Sequence, residues 1–152
     1  MAGLPCTDPH TLGAVVKPDS IERLRPMLHP KDVGEFQDAM LQFVDSLSDV
    51  FPYSVRQAVL GTALSQPRYA LDRNLQRRQD TTALIKAGRN LPLLVIFGSS
   101  DKVLDGHASA QYYKGWTRLK VVELDGADHI PWISKREEFR DSVLDWVKQV
   151  LV

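Results

Sequence analysis

The stretch LPLLVIFGSSDKVLDG, residues 91 to 106, decides the fold class of this chain. It begins as an almost unbroken apolar run and ends in Gly98, two serines and the carboxylate of Asp101. Such runs are typical of buried parallel strands, and open α/β sheets carry their chemistry on the loops that follow the strands. We therefore predict a strand over residues 93 to 97 and a functional loop at Asp101.

A second strand, RLKVVELDG at 118 to 126, precedes His129 in the stretch LDGADHIPW. A helix is predicted between the two strands, over residues 106 to 115. Ser134 and Glu137 have the spacing of a capping box and predict the start of a final helix. That helix has one apolar face, formed by Phe139, Val143, Trp146, Val147 and Val150. The β-α-β-α order predicts two parallel strands.

The part of the chain before residue 91 shows helical signals and no strand. Residues 1 to 30 lack a sustained period and are predicted to be an irregular N-terminal segment. Residues 31 to 90 are predicted to be a helical region, followed by the α/β part at 91 to 152. A capping box at Asp32 and Glu35 predicts the start of a first helix, and Pro52 suits the first turn of a second. Further helical sequence follows Pro67, where Leu71 and Leu75 are spaced by four. Another helix is predicted over 80 to 87, with Gly88 as the residue that ends it. The apolar faces are predicted to be Phe36, Met40, Phe43, Val44, Leu47 and Val50 in the first of these helices and Val55, Ala58, Val59 and Ala63 in the second.

Composition and charge argue against several classes of protein. The 152 residues contain 19 lysines and arginines and 19 aspartates and glutamates, so no net charge attracts nucleic acid or an anionic membrane. The basic cluster at 73 to 78 is interpreted as a solvated helix face. Cys6 is the only cysteine, which excludes an internal disulfide. With no signal-peptide pattern and no apolar stretch of about 18 residues, we expect a cytoplasmic protein without nucleic-acid or membrane partners.

No cofactor or metal is expected. The histidines outside the LDGADHIPW stretch have no partner at ligand spacing; they are His10, His29 and His107.

The two loops, taken together, resemble the C-terminal half of the α/β-hydrolase fold superfamily. LPLLVIFGSSDKVLDG is similar to the segment that bears the acid, in which an apolar strand ends in G-x-x-D. VVELDGADHIPWISKREEFRDSVLDWV is similar to the last strand, histidine loop and C-terminal helix of that family. The resemblance covers roughly residues 90 to 150, and the preceding helices lie where lidded members of the family insert a helical cap.

The resemblance implies that Asp101 is the acid and His129 the base of a catalytic triad. Other interpretations stay open: Asp101 could cap a turn, His129 could bond to backbone, and Asp105 is the alternative acid. Asp125 and Asp128 are expected to shape the turn rather than to react. Trp132 is expected to pack rather than to contact substrate, and the same holds for Phe36, Met40 and Phe43.

The nucleophile of the family is missing from this chain. It should lie on a G-x-S-x-G elbow before the lid, but Ser20, Ser46, Ser48, Ser54 and Ser65 lack flanking glycines, and Cys6 follows no strand. Two strands alone leave an unpaired edge, which favours self-association or a partner strand. We expect the C-terminal portion of a serine hydrolase for ester or related acyl bonds of small apolar molecules, inactive by itself.

Two other interpretations remain. The chain could be a non-catalytic module that completes its sheet on a partner, or another small α/β domain in which Asp101 and His129 coincide by chance. Dehalogenases and epoxide hydrolases with an aspartate nucleophile share the scaffold, and the residue that would separate them is absent.

Overall fold

The computed structural model describes residues 9–67, 69–70, 73, 76 and 80–151. The helices before the sheet are α1 (Pro9–Val15), α2 (Pro18–Leu28), α3 (Val33–Leu47), α4 (Tyr53–Ser65) and α5 (Thr81–Gly88). The α/β part follows as β1 (Pro92–Gly98), α6 (Gly106–Gln111), β2 (Arg118–Leu124), α7 (Pro131–Ser134) and α8 (Arg136–Leu151).

The two strands form a parallel sheet, as predicted. They pair from Pro92 opposite Arg118 to Gly98 opposite Leu124, so both strands end at the same level. The predicted face of α8 covers this sheet: Phe139 and Val143 pack against a cluster of Ile96, Leu124 and Ala127. No residue of α8 is fully buried, however, because two strands provide too little surface to cover the helix.

The predicted cap of α3 is confirmed, whereas α5 includes Gly88 as its last residue and has Arg89, not the predicted glycine, at its C-cap. Asp32 caps α3 by accepting a hydrogen bond from the backbone N–H of Glu35 at 2.8 Å. Asp80 caps α5 through the N–H of Thr82, also at 2.8 Å. On α3, the buried side chains are Ala39, Met40, Val44, Ser46 and Leu47, whereas Val50 lies beyond the helix and is exposed.

The apolar side chains of α3 pack among the helices. Met40 and Val44 lie in a cluster with Met27 of α2 and Leu60 of α4, and Phe36 and Phe43 pack against it. Leu60, rather than the predicted face, is the buried residue of α4. Its neighbours Val59 and Ala63 are only partly buried.

The prediction of irregular chain over residues 1 to 30 is wrong for residues 9 to 28, which form α1 and α2. The prolines misled the prediction, since Pro9 and Pro18 each begin a helix, where a missing N–H removes no helical hydrogen bond. Pro26 lies in the last turns of α2. The predicted helix over 106 to 115 also ends earlier, at Gln111.

Some predictions fall outside the described residues. They concern Cys6, Leu71, Leu75 and the basic cluster at 73 to 78 apart from Arg73 and Gln76. Among the helices that the structure does describe, none is long and apolar enough to span a bilayer.

Candidate functional site

Asp101 and His129 form a hydrogen-bonded pair at the carboxyl ends of the two strands. The ring nitrogen Nδ1 of His129 lies 3.0 Å from Oδ2 of Asp101. Asp101 follows β1 and His129 follows β2. Because the parallel strands end at the same level, residues 28 positions apart in sequence meet there.

The carboxylate of Asp101 is buried and fully bonded. Only 2% of the residue is exposed, and Oδ1 accepts hydrogen bonds from the backbone N–H groups of Val103 at 2.7 Å and Leu104 at 2.9 Å. Burial alone would raise the pKa of Asp101, but the hydrogen bond and charge of His129, with the two N–H groups, outweigh it and hold the pKa below its ordinary value. The carboxylate is therefore ionised at neutral pH.

This geometry orients the imidazole as a base. An ionised carboxylate at Nδ1 holds the proton on that nitrogen and leaves the lone pair on Nε2. The side chain of His129 is 23% exposed, and among the described residues nothing forms a hydrogen bond with Nε2. The pair can therefore take a proton from a group that approaches Nε2 and stabilise the resulting imidazolium.

The absence of a side chain at Gly98 brings the two loops together. A Cβ at this position would fall on the backbone carbonyl of Ala127 and the oxygen of Asp128. The two loops continue the pairing of the strands, since Ser99 N donates to Leu124 O at 3.0 Å and Ser100 N donates to Ala127 O at 2.9 Å. Only glycine permits this approach.

Asp128 forms hydrogen bonds within the loop that follows β2 and carries His129, here called the histidine loop. Its Oδ1 accepts the N–H of Ile130 and the hydroxyl of Ser134, each at 2.8 Å. Its Oδ2 accepts the hydroxyl of Ser48, from the end of α3, at 2.5 Å. Asp128 is only 7% exposed, so its carboxylate is buried directly beside His129.

Ser134 does not form the predicted capping box with Glu137. It ends the short helix α7, and Lys135 separates it from α8, which begins at Arg136. Its hydroxyl donates to Oδ1 of Asp128 at 2.8 Å and accepts the N–H of Asp128 at 3.2 Å instead. Asp125 behaves as expected of a turn residue. It accepts the hydroxyl of Ser99 at 3.3 Å, and Ser99 in turn accepts the N–H of Gly126, whose φ is 66°.

Residues at the junction of α1 and α2 contact the loop that carries Asp101. Lys17 donates its ammonium to the carbonyl of Asp101 and its N–H to Val103 O, and Ser20 donates to Lys102 O at 2.8 Å. Val16 pairs with Leu104 in an antiparallel bridge. No motif between residues 15 and 20 predicts this contribution.

The other candidate residues lie outside the pair. Asp105 caps α6 through the N–H of Ala108 at 2.9 Å. His107 lies 3.3 Å from a carboxylate oxygen of Glu123. Trp132 packs edge-to-face on Phe139, with ring centroids 6.0 Å apart.

No described serine is bonded to His129. Three of the serines considered as nucleophiles donate elsewhere: Ser20 to Lys102 O, Ser46 to Phe43 O and Ser48 to Asp128. Within the described residues, the pair therefore has no nucleophile next to it.

The fold is similar to that of two solved structures. No family model and no curated protein matches the sequence. Among solved structures, a protein assigned as an aryl esterase from Burkholderia cenocepacia matches with a TM-score of 0.73 and 18% identity over 90% of this chain. The esterase RhEst1 from Rhodococcus sp. ECU1013 matches with a TM-score of 0.75 and 21% identity over 91% of this chain.

The chain covers 50% of each of these two structures. Together with the parallel sheet, the matches confirm the predicted fold class, a partial α/β-hydrolase fold in which helices precede a β-α-β-α unit.

Proposed function

We propose that this chain carries the acid and base of a serine hydrolase that acts on ester or related acyl bonds of small apolar molecules. The observation that carries the proposal is the buried Asp101 bonded to Nδ1 of His129 at the carboxyl ends of two parallel strands. In this proposal, Asp101 orients the ring, and Nε2 of His129 takes the proton of a serine hydroxyl as the serine attacks the acyl carbon. His129 then returns the proton to the leaving alcohol.

The serine would come from the part of the fold that this chain does not cover. The chain spans half the length of two esterase structures, and no described serine is bonded to His129. The 152-residue chain alone is therefore expected to have no triad-dependent turnover. The helical region at 31 to 90, which contains α3, α4 and α5, would roof the substrate pocket.

A chimera tests the proposal directly. The half of the Rhodococcus esterase that this chain does not match is joined to this chain, and hydrolysis of p-nitrophenyl butyrate is measured. We expect turnover that falls about 10²- to 10⁴-fold in His129→Ala, the usual contribution of a general base. His107→Ala is the matched control, because His107 is exposed and outside the pair. A folded chimera whose turnover does not depend on His129 would refute the proposal.

The unpaired sheet supports a second candidate function, a non-catalytic module that docks on a partner chain. Within the described residues each strand pairs only with the other, so each has one edge without a partner strand. Val95, Ile96 and Phe97 of β1 are buried, whereas Val121 on β2 is 44% exposed. In this case the pair of Asp101 and His129 would be structural, and the chimera would be inactive although folded.

A further inference from the structure

The corner between α3 and α4 contacts both loops that hold the acid and the base. Ser48 ends α3, and its hydroxyl donates to Oδ2 of Asp128 in the histidine loop at 2.5 Å. The adjacent Asp49 accepts the ammonium of Lys102, next to the acid, with both carboxylate oxygens at 2.7 Å. Ser48 and Asp49 of the helical region thus contact Asp128, which precedes His129 in sequence, and Lys102, which follows Asp101.

The two contacts differ in strength because they differ in burial. The side chains of Lys102 and Asp49 are 46% and 68% exposed, and such surface ion pairs contribute little. Ser48 and Asp128 are 5% and 7% exposed, so their charge-assisted hydrogen bond is protected from water. The buried contact is the one that can fix the loop.

The hydroxyl of Ser48 is held in place on both sides. It accepts the N–H of Val50 at 3.2 Å while it donates to Asp128. Asp128 in turn is bonded to Ser134 and to the N–H of Ile130, which lies on the far side of His129. The orientation of the backbone on both sides of His129 therefore depends on this carboxylate.

We propose that Ser48 is a positioning residue that, through Asp128, sets the orientation of His129 and couples it to the helical region. A catalytic constellation must be held within about 0.5 Å of its productive geometry, and side chains bonded behind the reacting groups provide that precision. The inference rests on the proposed function for its catalytic meaning, but the coupling itself is a property of this chain.

The state of the His129 ring tests the coupling without turnover. Nitrogen-15 NMR of the 152-residue chain reports which ring nitrogen carries the proton, and the Nδ1 proton bonded to Asp101 gives a separate downfield signal. We expect one Nδ1–H tautomer in the wild type. In Ser48→Ala we expect loss of the downfield proton signal and averaging of the two ring nitrogens.

Two variants separate positioning from a general effect on the fold. Ser48→Thr keeps the hydroxyl and should restore the signal. Ser46→Ala is the matched control, because Ser46 is also buried on α3 but donates only to Phe43 O of its own helix. An unchanged His129 signal in folded Ser48→Ala would overturn the proposal.

Asp128→Asn tests the same contact from the loop if Ser48→Ala does not fold, as judged by circular dichroism. An unchanged signal in folded Asp128→Asn, or loss of fold in both variants, would also overturn the proposal. A wild-type chain without the Nδ1–H signal would instead refute the acid–base pair, and with it the proposed function.

Discussion

Gly98 lies directly against the backbone carbonyl of Ala127, so closely that no side chain fits between β1 and the histidine loop. This contact brings the loop of Asp101 next to the loop of His129, and Ser100 N reinforces it by donating to Ala127 O at 2.9 Å. The geometry of the candidate site therefore depends on a residue without a side chain.

Substituting Gly98 by Ala should destabilise the protein. The added methyl group meets backbone atoms that cannot move aside, and overpacking of this kind costs about 1–3 kcal/mol. The free energy of unfolding in urea measures the effect. Gly61→Ala is the control, because Gly61 lies inside α4 with open space around it, and the change should be neutral or stabilising. Equal stability of the two variants would contradict the close approach.

Asp101→Asn should remove a contribution to stability that depends on pH. The pKa of Asp101 is lower in the folded protein than its ordinary value of 3.8, so the ionised form stabilises the fold at pH values above 3.8. This contribution disappears as the pH falls through the lowered folded pKa. At neutral pH we expect the variant to be about 1–3 kcal/mol less stable, the cost of disturbing a buried charged hydrogen bond.

The measurement is the difference in unfolding free energy between wild type and Asp101→Asn as the pH is lowered. The difference should shrink as the pH falls below 3.8. Asp141→Asn, a change at an exposed carboxylate beside Arg140, serves as the control and should be nearly neutral at pH 7. A difference that grows on acidification would mean that the protonated form of Asp101 is the stabilising one.

Ser134→Ala should destabilise the histidine loop rather than the start of α8. The change removes one of two hydroxyls bonded to the buried Asp128, which costs about 1.5–3 kcal/mol for a hydrogen bond to a charged group. Ser142→Ala removes an exposed hydroxyl that donates only to Glu138 O within α8, and should change little. Thermal melts of both variants compare them; similar melting temperatures would show that the bond between Ser134 and Asp128 contributes little to stability.

Asp105→Ala should cost stability but not turnover. Asp105 caps α6, and loss of such a cap costs about 0.5–2 kcal/mol. In the chimera with the esterase half, we expect Asp105→Ala to retain p-nitrophenyl butyrate hydrolysis and Asp101→Asn to lose most of it. Loss of turnover in Asp105→Ala alone would identify Asp105 as the acid.

The open sheet predicts concentration-dependent self-association of the 152-residue chain. Size-exclusion chromatography with light scattering should show dimers or larger species, because β2 has an edge without a partner strand among the described residues and its Val121 is 44% exposed. Val121→Lys, on β2, should shift the chain towards monomer, whereas Val50→Lys, exposed outside the sheet, should not. A monomer at all concentrations would show that the edges are blocked.

Local sequence signals predicted the features that depend on neighbouring residues. The cap at Asp32 follows from its spacing to Glu35, because that hydrogen bond closes within three residues. The two strands follow from their apolar pattern, although the hydrogen bonds that pair them join residues 26 positions apart. The proximity of Asp101 and His129 could also be expected, since adjacent parallel strands end at the same edge of a sheet. The helices α1 and α2 could not be predicted from the presence of proline, because it is the position of Pro9 and Pro18 at the start of each helix that makes them compatible with it.

Tertiary structure decided the contacts between residues far apart in the chain. Ser48 and Asp128 are separated by 80 positions, and Lys17 and Asp101 by 84, so no local period relates them. Ser134 shows the limit most clearly, because its spacing from Glu137 fits a cap while its hydroxyl bonds to a carboxylate that only the fold buries. Local sequence specifies which strands form and that Asp101 and His129 follow them. The contacts that hold this pair in place arise from the packing of helices against loops, because buried polar groups bond to the partners that the fold brings near them.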